Sequence, residues 1–239
     1  MGKALGGLCY CLWVGMFAIE TASAQVNVWT HHNDNGRTGA NLNETRLNAS
    51  TVNVDQFGKL FSDPVDADIY AQPLVIQGVG VAGKGTHNVV YVATMNNSVY
   101  AFDADSNQGT NAQPLWQVNF NNPAAGITPV PAAEVANSPN IRNPGPVGVM
   151  GTPVIDQSTN TLYLVARTKE NGSYMQRLHA LDIASGAEKF GGPILIQASV
   201  SGSGDDSVGG VVSFNPKTQN QRPWPGPRWG ERLYRLGIA

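Results

Sequence analysis

Cysteine is nearly missing from this chain: two residues in 239, Cys9 and Cys11. Both lie in an apolar N-terminal stretch, so the sequence after residue 24 has none. That excludes a disulfide framework and a thiolate metal site from the body of the protein. Charge is also sparse, at 13% of residues against roughly 25% in ordinary soluble domains. The formal net charge of −2 argues against nucleic acid, which needs a clustered basic footprint. Beyond the N-terminal stretch, no run approaches the ~20 apolar residues of a membrane-spanning helix. Sustained helical periodicity is missing as well. What is plentiful is turn chemistry, with 27 glycines and 15 prolines. Stability must therefore come from many short strands joined by turns.

The N-terminus reads as an export signal over residues 1–24. Lys3 supplies the positive start, Ala4 to Ile19 is uncharged and mostly apolar, and Ala22-Ser23-Ala24 is a small-x-small cleavage site. The mature chain is expected to begin at Gln25, in the periplasm or outside the cell. Leu8 and Tyr10 precede the two cysteines, which does not suit a lipoprotein cleavage site. Residues 25–54 read as an N-terminal extension.

Strand-like runs bounded by turn residues follow. They are Phe57–Phe61, Gln72–Gln77, Val89–Thr94, Ser98–Asp103, Pro114–Phe120, Thr152–Asp156, Thr161–Arg167, Met175–Asp182 and Pro193–Gln197. The runs repeat. Pro73-Leu74-Val75-Ile76 matches Pro153-Val154-Ile155-Asp156, and Val89–Thr94 matches Thr161–Ala166. Val99-Tyr100-Ala101-Phe102-Asp103 matches Leu178-His179-Ala180-Leu181-Asp182. A polar turn follows each copy, and an aromatic then opens the fourth strand, Trp116 in the first and Phe190 in the second. Four strands per repeat form a unit that cannot bury both of its faces alone.

The unit Tyr100-Ala101-Phe102-Asp103, leading through a turn to Trp116, resembles the repeat of pyrroloquinoline-quinone-like (quinoprotein alcohol dehydrogenase-like) β-propellers. The resemblance spans residues ~55–200. It implies an all-β fold: a partial, incomplete β-propeller of four-stranded antiparallel blades over residues 55–222. Phe57–Phe61 is then expected to complete a last blade. Residues 223–239 read differently, with Arg228, Arg232 and Arg235 beside Trp224, Trp229 and three prolines, Pro223, Pro225 and Pro227. Back-translation shifted by one base permits a strand-like Asn-Val-Tyr-Ile-Ala, so this tail is expected to be frameshifted and the propeller cut short. Sequencing the gene across the codons for Gln221–Trp224 tests that.

Candidate sites are few. Gly78-Val79-Gly80-Val81-Ala82-Gly83 fits a phosphate-loop spacing, but a β-run follows where a helix is needed, so it reads as a hairpin loop. Asp103-Ala104-Asp105-Ser106-Asn107 opens like a calcium loop, yet Pro114 stands where a bidentate Glu belongs. It reads as a turn whose Asp side chains bond nearby backbone N–H groups. His31 and His32, as strand neighbours, would point to opposite faces and share no ion. The Ser/Gly-rich stretch 199–210 reads as a flexible loop. The long polar insertion Asn121–Val149 joins the two repeats and carries Glu134, Asn140 and Arg142, the candidate cofactor-binding residues. Glu134→Gln or Arg142→Ala is expected to weaken ligand binding, whereas Asp105→Asn is not.

By resemblance, two functions compete. One is an exported binding or scaffold propeller, non-catalytic, whose partner is a small molecule or a protein. The other is a quinoprotein dehydrogenase using PQQ and Ca²⁺. The adjacent-cysteine pair of many such enzymes is missing after residue 24, and their catalytic motifs map onto no residues of this sequence, so binding is favoured. Open blade edges are expected to promote self-association.

Overall fold

A computed structural model describes residues 27–135 and 144–220. Residues 1–24, read above as an export signal, and Asn140, Arg142 and residues 223–239 lie outside the described residues.

The chain is all-β and antiparallel, with a single turn of α-helix among the described residues. The first sheet is a four-stranded meander of β1 (Leu74–Val81), β2 (Gly85–Ala93), β3 (Ser98–Asp103) and β4 (Trp116–Asn119), in sequence order. The glycine-rich run is hairpin, as expected from the sequence. β1 continues through it with an irregularity between Ile76 and Val79, and turns at residues 82–84 into β2. The second meander repeats the pattern with β7 (Val154–Asp156), β8 (Thr161–Glu170), β9 (Ser173–Asp182) and β10 (Ile194–Leu195).

β8 outruns β7, which pairs only with Thr161–Tyr163. The insertion supplies a partner for the rest of that edge. Its β5 (Ile127–Pro131) pairs with Thr168–Glu170 and then with β6 (Pro146–Val147). The insertion is thus partly strand, with α1 (Ala132–Val135) between β5 and β6. An edge of free N–H and C=O groups left by unequal strands explains why a polar segment is recruited. A small hairpin of β11 (Ser199–Ser201) and β12 (Val211–Ser213) stands where the Ser/Gly stretch suggested only loop.

The core lies between the two meanders. Side chains alternate along a strand, and β2 and β3 send Val89, Tyr91, Ala93, Val99 and Ala101 towards the second sheet. That sheet answers with Leu162, Leu164, Ala166 and Leu181. The repeat aligns Tyr91 with Tyr163 rather than with Leu162 or Leu164. The two sheets therefore pack head to tail, each turning the same face in the same direction. The reverse face of the first sheet carries Val92, Tyr100 and Phe102 and is partly covered by Val65.

Two contacts lock this packing. The Trp116 indole N–H donates to the Ile183 carbonyl at 3.0 Å, and the Tyr91 hydroxyl donates to the same oxygen at 2.9 Å. Burial pushes the Tyr91 phenol far above its ordinary pKa. Trp116 also lies against Gly186, which has φ +72°, and a Cβ there would stand 2.6 Å from the indole Cε3. Glycine is required at that turn twice over, by the left-handed backbone and by the ring.

The N-terminal segment ties the first strands of both sheets. Val28 bridges Val75 of β1, and the Trp29 carbonyl accepts from the Ile155 N–H of β7 at 2.8 Å. Phe57–Phe61 forms no strand. Phe57 and Leu60 are exposed, and no neighbouring strand among the described residues offers them a ladder. The segment just after it does the anchoring. Asp66 accepts from Thr94 Oγ1, Asn96 Nδ2 and Ser98 Oγ at 2.8, 2.9 and 2.5 Å, which seats Val65 on the reverse face of the first meander.

Candidate functional site

The β8–β9 hairpin forms one wall of a cavity lined by both apolar and charged side chains. Asn171 and Gly172 adopt positive φ of 48° and 88°, as a tight two-residue turn requires. That turn fixes a register in which Glu170 faces Ser173, Ala166 faces Arg177 and Leu164 faces His179. With period-two alternation, Thr168, Glu170, Arg177 and His179 share the face that looks toward the first sheet.

Lower on that face the leucines close the core. Farther along that face lies a cavity of about 260 Å³, walled on its other side by Phe120, Ile127 and Pro193. Phe120, Ile127, Ala166 and Pro193 give it apolar walls, while Thr168, Glu170, Arg177 and His179 give it polar ones. The His179 ring stacks on Phe120 with centroids 3.7 Å apart.

The hydrogen bonds of the polar wall are unevenly filled. Arg177 donates Nε to Glu170 Oε1 and Nη2 to Glu170 Oε2, both at 2.8 Å. Thr168 Oγ1 donates to the same Oε1 at 2.9 Å. The Arg177 hydrogen bond holds the Glu170 carboxyl below its ordinary pKa and raises the guanidinium in turn. His179 Nδ1 donates to Glu188 Oε2 at 3.0 Å, and Glu188 Oε1 accepts the Ala180 N–H at 2.9 Å. A carboxylate can only accept, so the Nδ1–H tautomer is fixed. Both carboxylates are thus satisfied. Arg177 Nη1 and His179 Nε2 meet no acceptor or donor among the described residues.

Glu134, expected to bind a ligand, sits in α1 and is held from the opposite face of β8–β9. Lys169 Nζ donates to both of its oxygens, at 2.9 and 2.8 Å, and the Tyr174 hydroxyl donates at 2.6 Å. The Lys169 hydrogen bond, with help from Tyr174, lowers the Glu134 carboxyl pKa. The structure does not bring Glu134 to the cavity, although Ile127 of the same insertion reaches it.

Arg167 lies on that opposite face too. It is 5% exposed and pairs with no carboxylate among the described residues. Its Nη2 donates to the Gln219 carbonyl at 2.9 Å and to Asn220 Oδ1 at 2.6 Å, fastening residues 219–220 to the sheet. Burial lowers its pKa.

The remaining sequence candidates resolve simply. Asp103 Oδ1 accepts the N–H groups of Asp105 and Ser106, and Asp182 Oδ1 does the same for Ala184, as expected of turn aspartates. His31 and His32 do not diverge like strand neighbours. They sit in a turn, with φ +58° at His32, and their rings stack 3.9 Å apart. Among the described residues no three His, Cys, Asp or Glu side chains converge as metal ligands.

Glu170, Arg177 and His179 were not singled out from the sequence. The usable signal was Asn171-Gly172 between two β-runs, which sets the register that assembles them. Compared with known proteins, the chain matches no family model and no curated protein.

Proposed function

We propose that the chain is an exported binding or scaffold protein whose meanders are blades of a β-propeller of the quinoprotein-like repeat type. The observation that carries this reading is the head-to-tail contact. Tyr91 and Trp116 of the first meander dock on the turn of the second through Ile183 and Gly186. Tyr163, the repeat equivalent of Tyr91, lies on the face turned away from the first sheet, and Phe190, the equivalent of Trp116, is 66% exposed, in a turn with φ +57° rather than opening the fourth strand as the sequence suggested. A contact made once and offered again is what a ring of identical packing steps requires. The cavity above the leucine layer supports binding, because its walls combine apolar surface with a few convergent polar groups.

Export is supported by the Lys3-to-Ala24 pattern. No helix among the described residues is long and apolar enough to cross a membrane. Two measurements test the reading. Fractionation of cells expressing the full chain should place it outside the cytoplasm, beginning at Gln25. Dye reduction with PQQ and Ca²⁺ should stay at background, and turnover would overturn the non-catalytic assignment.

A further inference from the structure

We infer that the cavity between the meanders selects small carboxylates with an apolar or aromatic body. The inference rests on reading this cavity as a binding site, and not on closure of a ring.

The groups that remain free on the polar wall decide the ligand class. Four acidic oxygens lie at or behind the polar wall, on Glu170 and Glu188. Each accepts at least one charge-assisted or backbone hydrogen bond. A carboxylate oxygen has two lone pairs, so Glu170 Oε2 can still accept from a cation, but that cation would stand beside the Arg177 guanidinium and be repelled by it. An anion is met by hydrogens that are already free. Arg177 keeps its Nη1 hydrogens, and a guanidinium whose other edge is clamped by a carboxylate is already oriented, so little entropy is lost when it binds. His179 Nε2 stands on the same face, its ring held between Glu188 and Phe120; with the proton on Nδ1 it accepts rather than donates, so Arg177 supplies the hydrogens that meet the carboxylate. Thr168 Oγ1 has lone pairs but gives its hydrogen to Glu170.

Size and walls set the rest. About 260 Å³ lies just under the ~300–1,000 Å³ of drug-sized pockets, which suits one small ring or a short branched chain. Phe120, Ile127, Ala166 and Pro193 supply contact for such a body and no hydrogen bonds from their side chains. A bare inorganic anion would leave those walls unfilled, and a polyol would leave its hydroxyls unpaired against them.

The test is titration calorimetry on the full chain with four probes: benzoate, 3-phenylpropionate, benzylamine and acetate. The two aromatic acids should bind, with benzylamine and acetate weaker by about tenfold or more, the loss expected when a charge-assisted hydrogen bond or an apolar body is missing. Ile127→Trp fills the cavity from its rim and should abolish binding. The paired change Glu170→Gln with Arg177→Gln keeps a neutral hydrogen-bonded pair, so the hairpin folds. It should remove the preference for acid over amine. Circular dichroism confirms folding of each variant. Benzylamine binding as well as benzoate would overturn the ligand class while leaving the cavity a binding site. So would acid binding untouched by either variant. If no probe binds, the ligand class fails, whereas the binding-protein reading stands or falls on the dye-reduction and fractionation results.

Discussion

Gly186→Ala is the sharpest perturbation of the contact between the meanders. Two costs act there. The backbone at φ +72° is left-handed, and any residue with a Cβ loses about 1–2 kcal/mol in it. The added methyl would also stand 2.6, 3.0 and 3.1 Å from three atoms of the Trp116 indole. The ring must move, and overpacking of this kind costs about 1–3 kcal/mol. Moving it stretches the 3.0 Å indole–Ile183 hydrogen bond, worth about 0.5–1.5 kcal/mol net. A loss of about 2.5–6.5 kcal/mol follows. Gly172→Ala is the control. Its φ is +88°, but nothing lies within 4 Å of the added methyl, so only the backbone cost of about 1–2 kcal/mol applies. Urea melts of the three proteins, followed by tryptophan fluorescence and circular dichroism, give the difference. Equal losses from the two glycine substitutions would refute the claim that Trp116 is locked against this turn.

Tyr91→Phe removes one of two donors to the Ile183 carbonyl and should cost about 0.5–1.5 kcal/mol in the same melts; a neutral result would mean that Trp116 alone satisfies that oxygen. His87 places Nδ1 on Asp103 at 2.5 Å and Nε2 on the Lys84 carbonyl at 2.8 Å, so the imidazolium satisfies both acceptors and its pKa is raised above the ordinary 6.5, chiefly by the Asp103 hydrogen bond. The stability it gives is complete below pH 6.5 and is lost as pH rises through the raised folded value. The gap in melting temperature between the unmodified protein and His87→Gln should therefore shrink from about pH 5.5 to about pH 9, and a gap that widens contradicts the assignment. Glu134→Gln weakens the hold of Lys169 and Tyr174 on α1, and hydrogen exchange in residues 132–135 should quicken while benzoate affinity is unchanged. Arg167→Met should release residues 219–220, read as faster exchange there, while changing global stability by no more than about 1 kcal/mol, because a buried cation without a carboxylate contributes little net stability.

The repeat was legible because strand pairing and alternation are local. Leu74–Ile76, Val89–Ala93 and Ser98–Asp103 are β-rich runs between turn residues, and all are strands. Phe57–Phe61 has the same character but gains no ladder, and a strand exists only where a neighbour accepts its hydrogen bonds. β5 and β6 were hidden for the opposite reason. Residues such as Thr128, Pro129 and Pro146 have little intrinsic claim to a strand, and they pair because β8 outruns β7. The cavity was hidden because its walls come from segments far apart in sequence, Phe120 and Ile127 on one side and the β8–β9 face on the other. Glu170 and Arg177 are seven positions apart, and only the Asn171-Gly172 turn makes them partners. The Glu134 carboxylate looked available in sequence because Lys169 and Tyr174, its holders, lie 35 and 40 residues away.

The central claim is that the two meanders pack head to tail and that the face carrying Tyr163 and Phe190 is a docking face. Sedimentation velocity of the full chain across a range of concentrations tests it most directly. Each uncovered sheet face leaves large side chains without a neighbour, worth about 1.5–3 kcal/mol apiece when buried. The account predicts concentration-dependent association, reduced by the paired change Tyr163→Lys with Phe190→Asp. A monomer at every concentration, melting sharply and indifferent to that change, would contradict it.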